Sequence, residues 1–193
     1  DIEIIVISHL HGDHFCGIPF FILDAQLISK RSQPLTVIGP EGIKKRVQEA
    51  MEIMFPGSST VQQKFSLEYV ELSPGTSKIV KNIEINPFLV QHPSGAPSLA
   101  LRIGTEGKII SYTGDTEWTE SLIPACRGAD LLISESYFFD KKVKFHMDYK
   151  SIIEHKDRLG FKKLVITHMG QDMLQKIKEV GCECADDGEV FYI

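Results

Sequence analysis

The sequence of 193 residues predicts an α+β domain in which two sheets pack together with helices outside them. Two observations support this fold class. Apolar runs typical of strands alternate with helical stretches at both ends of the chain, whereas strands joined by hairpins fill the middle. The chain contains no internal repeat, low-complexity run or linker, so we expect a single domain over residues 1–193. Periodicity alone leaves an ordinary three-layer α/β fold open.

In the N-terminal third, strands and helices are predicted to alternate. The first strand, residues 2–8, is continuously apolar, which is typical of a strand buried on both faces. Pro19 falls in the first turn of the following helix, where proline is tolerated. The second helix is stopped by Pro56-Gly57. The helices are expected over residues 15–30 and 41–55, with a strand over 34–39 between them.

The rest of the chain is predicted to begin with hairpins and to end with alternating helices and strands. Gly104-Thr105-Glu106-Gly107 is predicted to form a hairpin turn, and Gly160 to end a helix. Strands are expected at residues 69–72, 79–80, 83–85, 88–90, 99–103, 109–112, 131–133 and 164–166, and helices at 119–128, 149–159 and 173–180.

One short motif carries most of the chemical information. His9-Leu10-His11-Gly12-Asp13-His14 follows the apolar run Ile4-Ile5-Val6-Ile7, with Ser8 between them. Imidazole nitrogens and carboxylate oxygens are ligands for zinc, manganese and iron. Burying three imidazoles and a carboxylate together without a metal would be costly. A loop can aim His9 and His11 at one ion while Asp13 and His14 turn towards a second, so the motif predicts a dinuclear site and hydrolysis.

Three further candidate ligands each follow an apolar strand. His92 comes after residues 88–90, Asp115 after 109–112, and His168 after 164–166. A single Gly-Asp after a strand is more often only a turn, but three metal-binding side chains at the same structural position indicate convergence on one sheet edge.

Composition excludes several classes of function. The formal net charge is −5 and the pI is near 5.8, so a strongly basic surface for nucleic acid is not evident. No apolar run approaches the length of a membrane span, and no signal peptide is recognisable, so we expect no membrane partner. Four cysteines without regular spacing indicate reduced thiols and a cytoplasmic protein.

The motif, His92, Asp115 in Gly-Asp-Thr, and His168 together resemble the metallo-β-lactamase fold superfamily over nearly the whole chain. The resemblance implies a four-layer αββα sandwich and two divalent ions, zinc first, with manganese or iron as alternatives. It also implies that the chain lacks the first N-terminal strands of the fold. The first metal would be held by His9, His11 and His92, and the second by Asp13, His14 and His168, with Asp115 bridging both.

A second feature is similar to ribonuclease Z and its relatives. Glu135 ends a predicted strand, and His146 precedes the next helix. The resemblance implies that Glu135 orients His146, that His146 protonates the leaving group, and that Asp13 assists as a ligand and by orienting the attacking water. The alternative for His146 is a surface residue at a helix N-terminus.

The chain departs from ribonuclease Z in one respect. That family carries a long basic arm that grips tRNA between the positions of His92 and Asp115, where only 22 residues stand here. We therefore do not expect tRNA as the substrate. A small phosphodiester or a nucleic-acid end is the preferred prediction, and the basic stretch 141–144 either contacts a phosphate or is a solvated loop.

The predicted metal site is compatible with more than one reaction. It suits a lactone, thioester or other carboxyl ester, whose leaving groups need less help from His146. A redox iron site and an inactive binding module are less favoured, because the ligand set is complete and has no Glu at position 11. A homodimer is suggested by resemblance only, and His155, in mid-helix, is predicted to be a surface residue.

Overall fold

The computed structural model describes residues 2–193, and Asp1 lies outside the described part. The chain divides into two compact units. The N-terminal unit runs as far as Ser73 and includes Ser94–Pro97, and the C-terminal unit comprises Pro74–Pro93 and Ser98–Ile193. The single domain over residues 1–193 stays a prediction.

The N-terminal unit is built on a three-stranded parallel sheet with the strand order β1-β2-β3. A single turn of 3₁₀ helix, Ser58–Thr60, follows its last helix. The strands are β1 Ile4–Val6, β2 Leu35–Pro40 and β3 Leu67–Leu72, and the helices are α1 Gly12–Phe15, α2 Gly17–Leu27 and α3 Ile43–Met54.

Burial in this sheet follows strand order. Every residue of the central strand β2 is buried, because β2 pairs on both sides. The three residues of β1 are only half-buried. The prediction that the first strand is buried on both faces is therefore wrong, and the reason is that β1 lies at the sheet edge. Its apolar run continues into Ile7, which is buried in the core.

The C-terminal unit contains a seven-stranded mixed sheet in the order β10-β9-β8-β7-β6-β5-β4. A second 3₁₀ turn, Ile177–Glu179, follows its last helix. The strands are β4 Lys78–Val80, β5 Ile83–Leu89, β6 Leu99–Thr105, β7 Lys108–Tyr112, β8 Leu131–Glu135, β9 Lys163–Thr167 and β10 Glu183–Cys184, and the helices are α4 Leu122–Cys126, α5 Tyr149–Glu154, α6 Lys156–Leu159 and α7 Gln171–Gln175.

Strand direction determines where candidate residues emerge. Strands β4 to β7 pair antiparallel, whereas β7 to β10 pair parallel. Strands β5, β7, β8 and β9 therefore run the same way, and their carboxyl ends lie at one edge of the sheet. The predicted hairpin between β6 and β7 is confirmed, with Glu106 and Gly107 at φ 49° and 75°, as a two-residue turn of the primed type requires.

The core of the C-terminal unit is apolar. Leu132, Ile152 and Ile166 are among its fully buried side chains, with contributions from β8, α5 and β9. Gly160 ends α6 at φ 63°, as predicted. The expected helix over 149–159 is interrupted at His155, and the described residues contain a short strand, β10, that the sequence did not predict. Among residues 2–193, no helix is long and apolar enough to cross a membrane.

Candidate metal centre and acid–base pair

The N-terminal unit brings three histidines of the motif together. His9 follows β1 and is completely buried, while His11 and His14 are half-buried. The ring centroid of His9 lies 5.0 Å from that of His11 and 4.0 Å from that of His14. Three imidazoles at these separations are typical of a metal site rather than of an apolar core.

The short helix α1 produces this arrangement. The backbone N–H groups of His14 and Phe15 both donate to the carbonyl of His11, at 3.1 and 3.3 Å. This turn directs Asp13 outwards, where 65% of its side chain is exposed, with its Oδ2 3.5 Å from Nε2 of His14. Buried Leu10 and Phe15 anchor the two ends of the loop in the core.

In the C-terminal unit, residues from three strand ends and one loop form a second group. Asp115 follows β7, Glu135 ends β8, His168 follows β9, and His146 lies in the loop before α5. Ligand-type atoms of these four residues all lie within 4.8 Å of one another. Asp115 is 2% exposed and Glu135 is fully buried. The predicted convergence on one sheet edge is therefore observed for this unit.

Glu135 is the acceptor at the centre of this group. Its Oε2 lies 2.9 Å from Nδ1 of His146 and 3.5 Å from Nδ1 of His168. The hydrogen bond to Glu135 is the main reason why the pKa of His146 is raised above its ordinary value, against the opposing effect of burial. A carboxylate that holds Nδ1–H leaves Nε2 of His146 to exchange a proton with a ligand.

His92 is oriented in a similar way. Its Nδ1 lies 2.8 Å from the carbonyl of Phe145, which can only accept, so Nδ1 carries the proton. Nε2 of His92 lies 4.0 Å from Oδ2 of Asp115. An imidazole whose other nitrogen donates to a carbonyl has the tautomer that a metal ligand needs.

Left-handed backbone conformations occur beside the candidate residues. His168 itself has φ 51°, and Phe145, which precedes His146, has φ 70°. Residues other than glycine adopt positive φ angles at a cost in free energy. Such residues cluster at functional sites, where the surrounding structure fixes the backbone. Phe145 is held from both sides, because its N–H donates to Oε2 of Glu117 at 2.8 Å while its carbonyl accepts from His92.

Thr116 joins three loops of this site. It is fully buried, its Oγ1 accepts from the N–H of Gln91 at 3.1 Å, and its own N–H donates to Oε1 of Glu135. Gln91 directly precedes His92, and Thr116 directly follows Asp115, so these contacts fix the backbone beside two candidate ligands. Sequence reasoning did not identify Thr116, because nothing in the motif indicates which loop its hydroxyl contacts.

Tyr137 and Gly170 form a wall beside the histidines. The ring centroid of Tyr137 lies 5.1 Å from that of His146 and 5.4 Å from that of His168. A Cβ at position 170 would lie 2.7 Å from the carbonyl oxygen of Tyr137, so only glycine allows this approach.

His155 does not belong to either group. Its ring stacks on Trp118, with centroids 3.7 Å apart, and its Nδ1 lies 2.9 Å from the carbonyl of Ser151. It is half-buried. The prediction of a surface residue is wrong to that extent, because a neighbouring indole covers one face of the ring.

The donor chemistry of both groups fits divalent metals. Each unit contributes imidazoles and at least one carboxylate, the donor types of zinc, manganese and non-haem iron sites. A carboxylate at position 115 makes the set harder than one with a thiolate would be.

The family is established by comparison with known proteins. The family described as the β-lactamase superfamily domain matches residues 1–169, and the chain belongs to this family. The family implies divalent metal binding, for which the His/Asp clusters are available ligands. The predicted metallo-β-lactamase fold and the class of metal-dependent hydrolase are thereby confirmed.

Several relatives are similar over most of the chain. A ribonuclease Z from Geobacillus kaustophilus is 27% identical, with 92% of this chain and 75% of the relative covered. A ribonuclease Z from Methanosarcina mazei is 26% identical, covering 97% of this chain and 75% of that protein. The crystal structure of human tRNase Z, short form, is 25% identical with a TM-score of 0.76, covering 100% and 79% of the two chains. The predicted ribonuclease Z-like resemblance is confirmed.

The alignments also reveal a difference in length. The match to the Geobacillus kaustophilus protein extends over 236 residues, more than the 193 residues of the whole chain. The relative therefore carries inserted residues that have no counterpart here.

Proposed function

We propose that this chain is a metal-dependent phosphodiesterase that hydrolyses a small phosphodiester or a nucleic-acid end. The observation that carries the proposal is the Glu135–His146 pair, 2.9 Å apart, within the cluster that contains Asp115 and His168. A phosphodiester alkoxide leaves poorly without a proton, and a carboxylate-held imidazole supplies one.

The proposed metal ligands are those that the family resemblance implies. They are His9, His11, Asp13, His14, His92, Asp115 and His168. Two divalent ions, zinc in the first place with manganese or iron as alternatives, would lower the pKa of a water towards about 7 and offset negative charge on the phosphoryl oxygens. The orientation of His92 by the Phe145 carbonyl supports its part in this set.

The protein residues divide the proton transfers between them. Asp13 orients the attacking water, whose oxygen forms the new P–O bond. The P–O bond to the leaving alcohol breaks, and the departing oxygen takes a proton from His146. The proton that the water loses returns to His146 through solvent. The raised pKa of His146 supports this role, because it favours the protonated imidazole that must donate.

Three observations favour a substrate smaller than tRNA. Only 22 residues separate His92 from Asp115, and β6 and β7 use most of them. The longer ribonuclease Z relative contains inserted residues that are absent here. A formal net charge of −5 also provides little general attraction for a polyanion.

We also propose a location and an oligomeric state. The free thiols of all four cysteines agree with a cytoplasmic location. A homodimer is proposed from the resemblance alone.

The test is hydrolysis of bis(p-nitrophenyl) phosphate by protein loaded with zinc or with manganese, with and without a chelator. We expect turnover that the chelator abolishes and that added metal restores. Metal-replete protein without turnover would overturn the phosphodiesterase proposal. A panel of lactones and thioesters then tests the alternative of a carboxyl-ester hydrolase, for which His146 would matter less.

A further inference from the structure

A cavity of about 340 Å³ opens beside His146 in the C-terminal unit. Its wall is formed from two stretches of chain that the metal-binding proposal does not use. Trp118 lies on one of them, and Lys142, Val143 and Lys144 lie on the other. The wall offers mainly apolar surface to a ligand.

Trp118 is held rigidly at this cavity. Its ring stacks on His155 with an interplanar angle of 24° and a centroid separation of 3.7 Å. The guanidinium carbon of Arg158 lies 5.6 Å from the centroid of the Trp118 ring, and Arg158 itself donates to Glu120. An indole that contacts within the protein already fix loses little conformational entropy when a ligand packs against it. Trp118 is therefore suited to bind a ring.

The charges that line the cavity are balanced in number, because Glu117 and Asp148 stand against Lys142 and Lys144. Nζ of Lys142 lies 3.2 Å from Asp148 and 3.8 Å from Glu154. Glu117 accepts the N–H of Phe145. A cavity with compensated charges and an aromatic wall favours a flat, neutral group over an anion.

We infer that this cavity receives the leaving alcohol and selects alcohols that carry an aromatic ring, which packs against Trp118 and Val143. The inference rests on the proposed function, because the group that accepts a proton from His146 must lie beside it. The P–O bond to this alcohol breaks, its oxygen takes the proton, and the neutral alcohol occupies the cavity as product. The ring belongs to a nucleoside or to an aryl alcohol, which offer the same flat surface.

The first test uses fluorescence and needs no turnover. Trp118 is the only tryptophan in the sequence, so the emission has a single source. We expect saturable changes when the metal-loaded protein is titrated with adenosine or with phenol, and none with ribose, and the stronger of the two ring probes identifies the source of the ring. Emission unchanged by both probes up to millimolar concentration would overturn the inference.

Substitutions then connect the cavity to catalysis. The substrates are an adenosine dinucleotide and its analogue without a base on the leaving ribose. We expect wild-type kcat/KM to favour the base-bearing substrate about tenfold, and Trp118→Ala to reduce this ratio towards one. Trp118→Phe should keep part of the preference. Trp118 packs against the core, so its removal can also destabilise the fold. A second variant, Val143→Phe, avoids this problem because Val143 lies in a loop. Its larger side chain should fill the cavity and weaken adenosine binding.

The outcomes separate the two proposals. Chelator-sensitive turnover with a base preference that neither Trp118→Ala nor Val143→Phe changes would overturn the cavity assignment and leave the phosphodiesterase standing. Absence of turnover on every phosphodiester would overturn the phosphodiesterase and, with it, the leaving-group role. Loss of the base preference at an unchanged rate on the abasic analogue supports the inference.

Discussion

The two groups of candidate ligands differ in how the chain brings them together. In the N-terminal unit, His9, His11 and His14 lie within six residues, and one helical turn is enough to bring their rings close. In the C-terminal unit, the group extends from His92 to His168 and depends on four strands that run in one direction. The first group follows from a local motif, whereas the second exists only if the whole sheet forms.

This difference has a consequence for how each group responds to substitution. A ligand in the motif is held by its neighbours in sequence, so a change there should act locally. A residue in the second group is held by contacts such as those of Thr116 and Glu135, so a change can displace several loops. The following variants test this contrast, beginning with the largest expected effect.

Asp115→Ala should cause the greatest loss. The resemblance assigns Asp115 to both metals, so its removal should lower metal content and remove several kcal/mol of transition-state stabilisation, about three powers of ten in kcat/KM. His11→Ala, in the motif, should affect only one metal and should therefore reduce kcat/KM less than Asp115→Ala does. Metal analysis and phosphodiester kinetics measure both, with the exposed Asp187→Ala as the control. Full metal content and full activity in Asp115→Ala would refute the bridging role.

His146→Ala should lower kcat/KM by about 10²-fold while the metal content stays at the wild-type level, because the residue is proposed to donate a proton rather than to hold an ion. Ligand-type atoms of His146, Asp115, Glu135 and His168 lie within 4.8 Å of one another, so a role for His146 as a metal ligand must also be tested. Loss of metal with little further loss of activity after metal is restored would assign His146 to the ligands.

Glu135→Gln should change the pH dependence of the reaction. His146 must be protonated to act, so activity is present below its pKa and is lost as pH rises through it. Glu135 raises that pKa mainly by its hydrogen bond, and Asp115 contributes in the same direction while His168 opposes it. Removing the charge should therefore move the basic limb of kcat/KM to lower pH. An unshifted basic limb would show that this limb reports another group.

Thr116→Val should have the smallest effect on chemistry and a clear effect on stability. It removes the acceptor of the N–H of Gln91, a partly buried hydrogen bond, which costs about 0.5–1.5 kcal/mol of unfolding free energy. Thr116→Ser retains the hydroxyl and should recover most of this loss. The denaturant midpoints of Thr116→Val and Thr116→Ser measure this difference. Equal midpoints would mean that the hydrogen bond from Gln91 to the Thr116 hydroxyl contributes nothing to stability.

The predictable part of the site is the part that strand ends determine. Apolar runs located β5, β7, β8 and β9, and a polar residue beyond three of these runs identified His92, Asp115 and His168, whereas Glu135 was predicted from the resemblance to ribonuclease Z. The direction of the strands was not predictable from periodicity, yet it is what brings these ends to one edge.

The unpredictable part depends on contacts distant in sequence. Half-burial of β1 follows from its edge position, which the apolar run does not reveal. The two-residue strand β10 is too short to have a period. The stacking of His155 on Trp118 joins two parts of the chain that no motif connects, and Trp118 also lines the cavity beside His146.

The central claim, proton donation by His146 to the leaving oxygen of a phosphodiester, is tested most directly by a leaving-group series. Rates are measured for methyl aryl phosphodiesters whose phenols have increasing pKa, with metal-loaded wild type and metal-loaded His146→Ala. We expect a shallow dependence in wild type and a steep one in the variant, because only the wild type protonates the departing oxygen. Equal slopes in the two proteins would contradict the account.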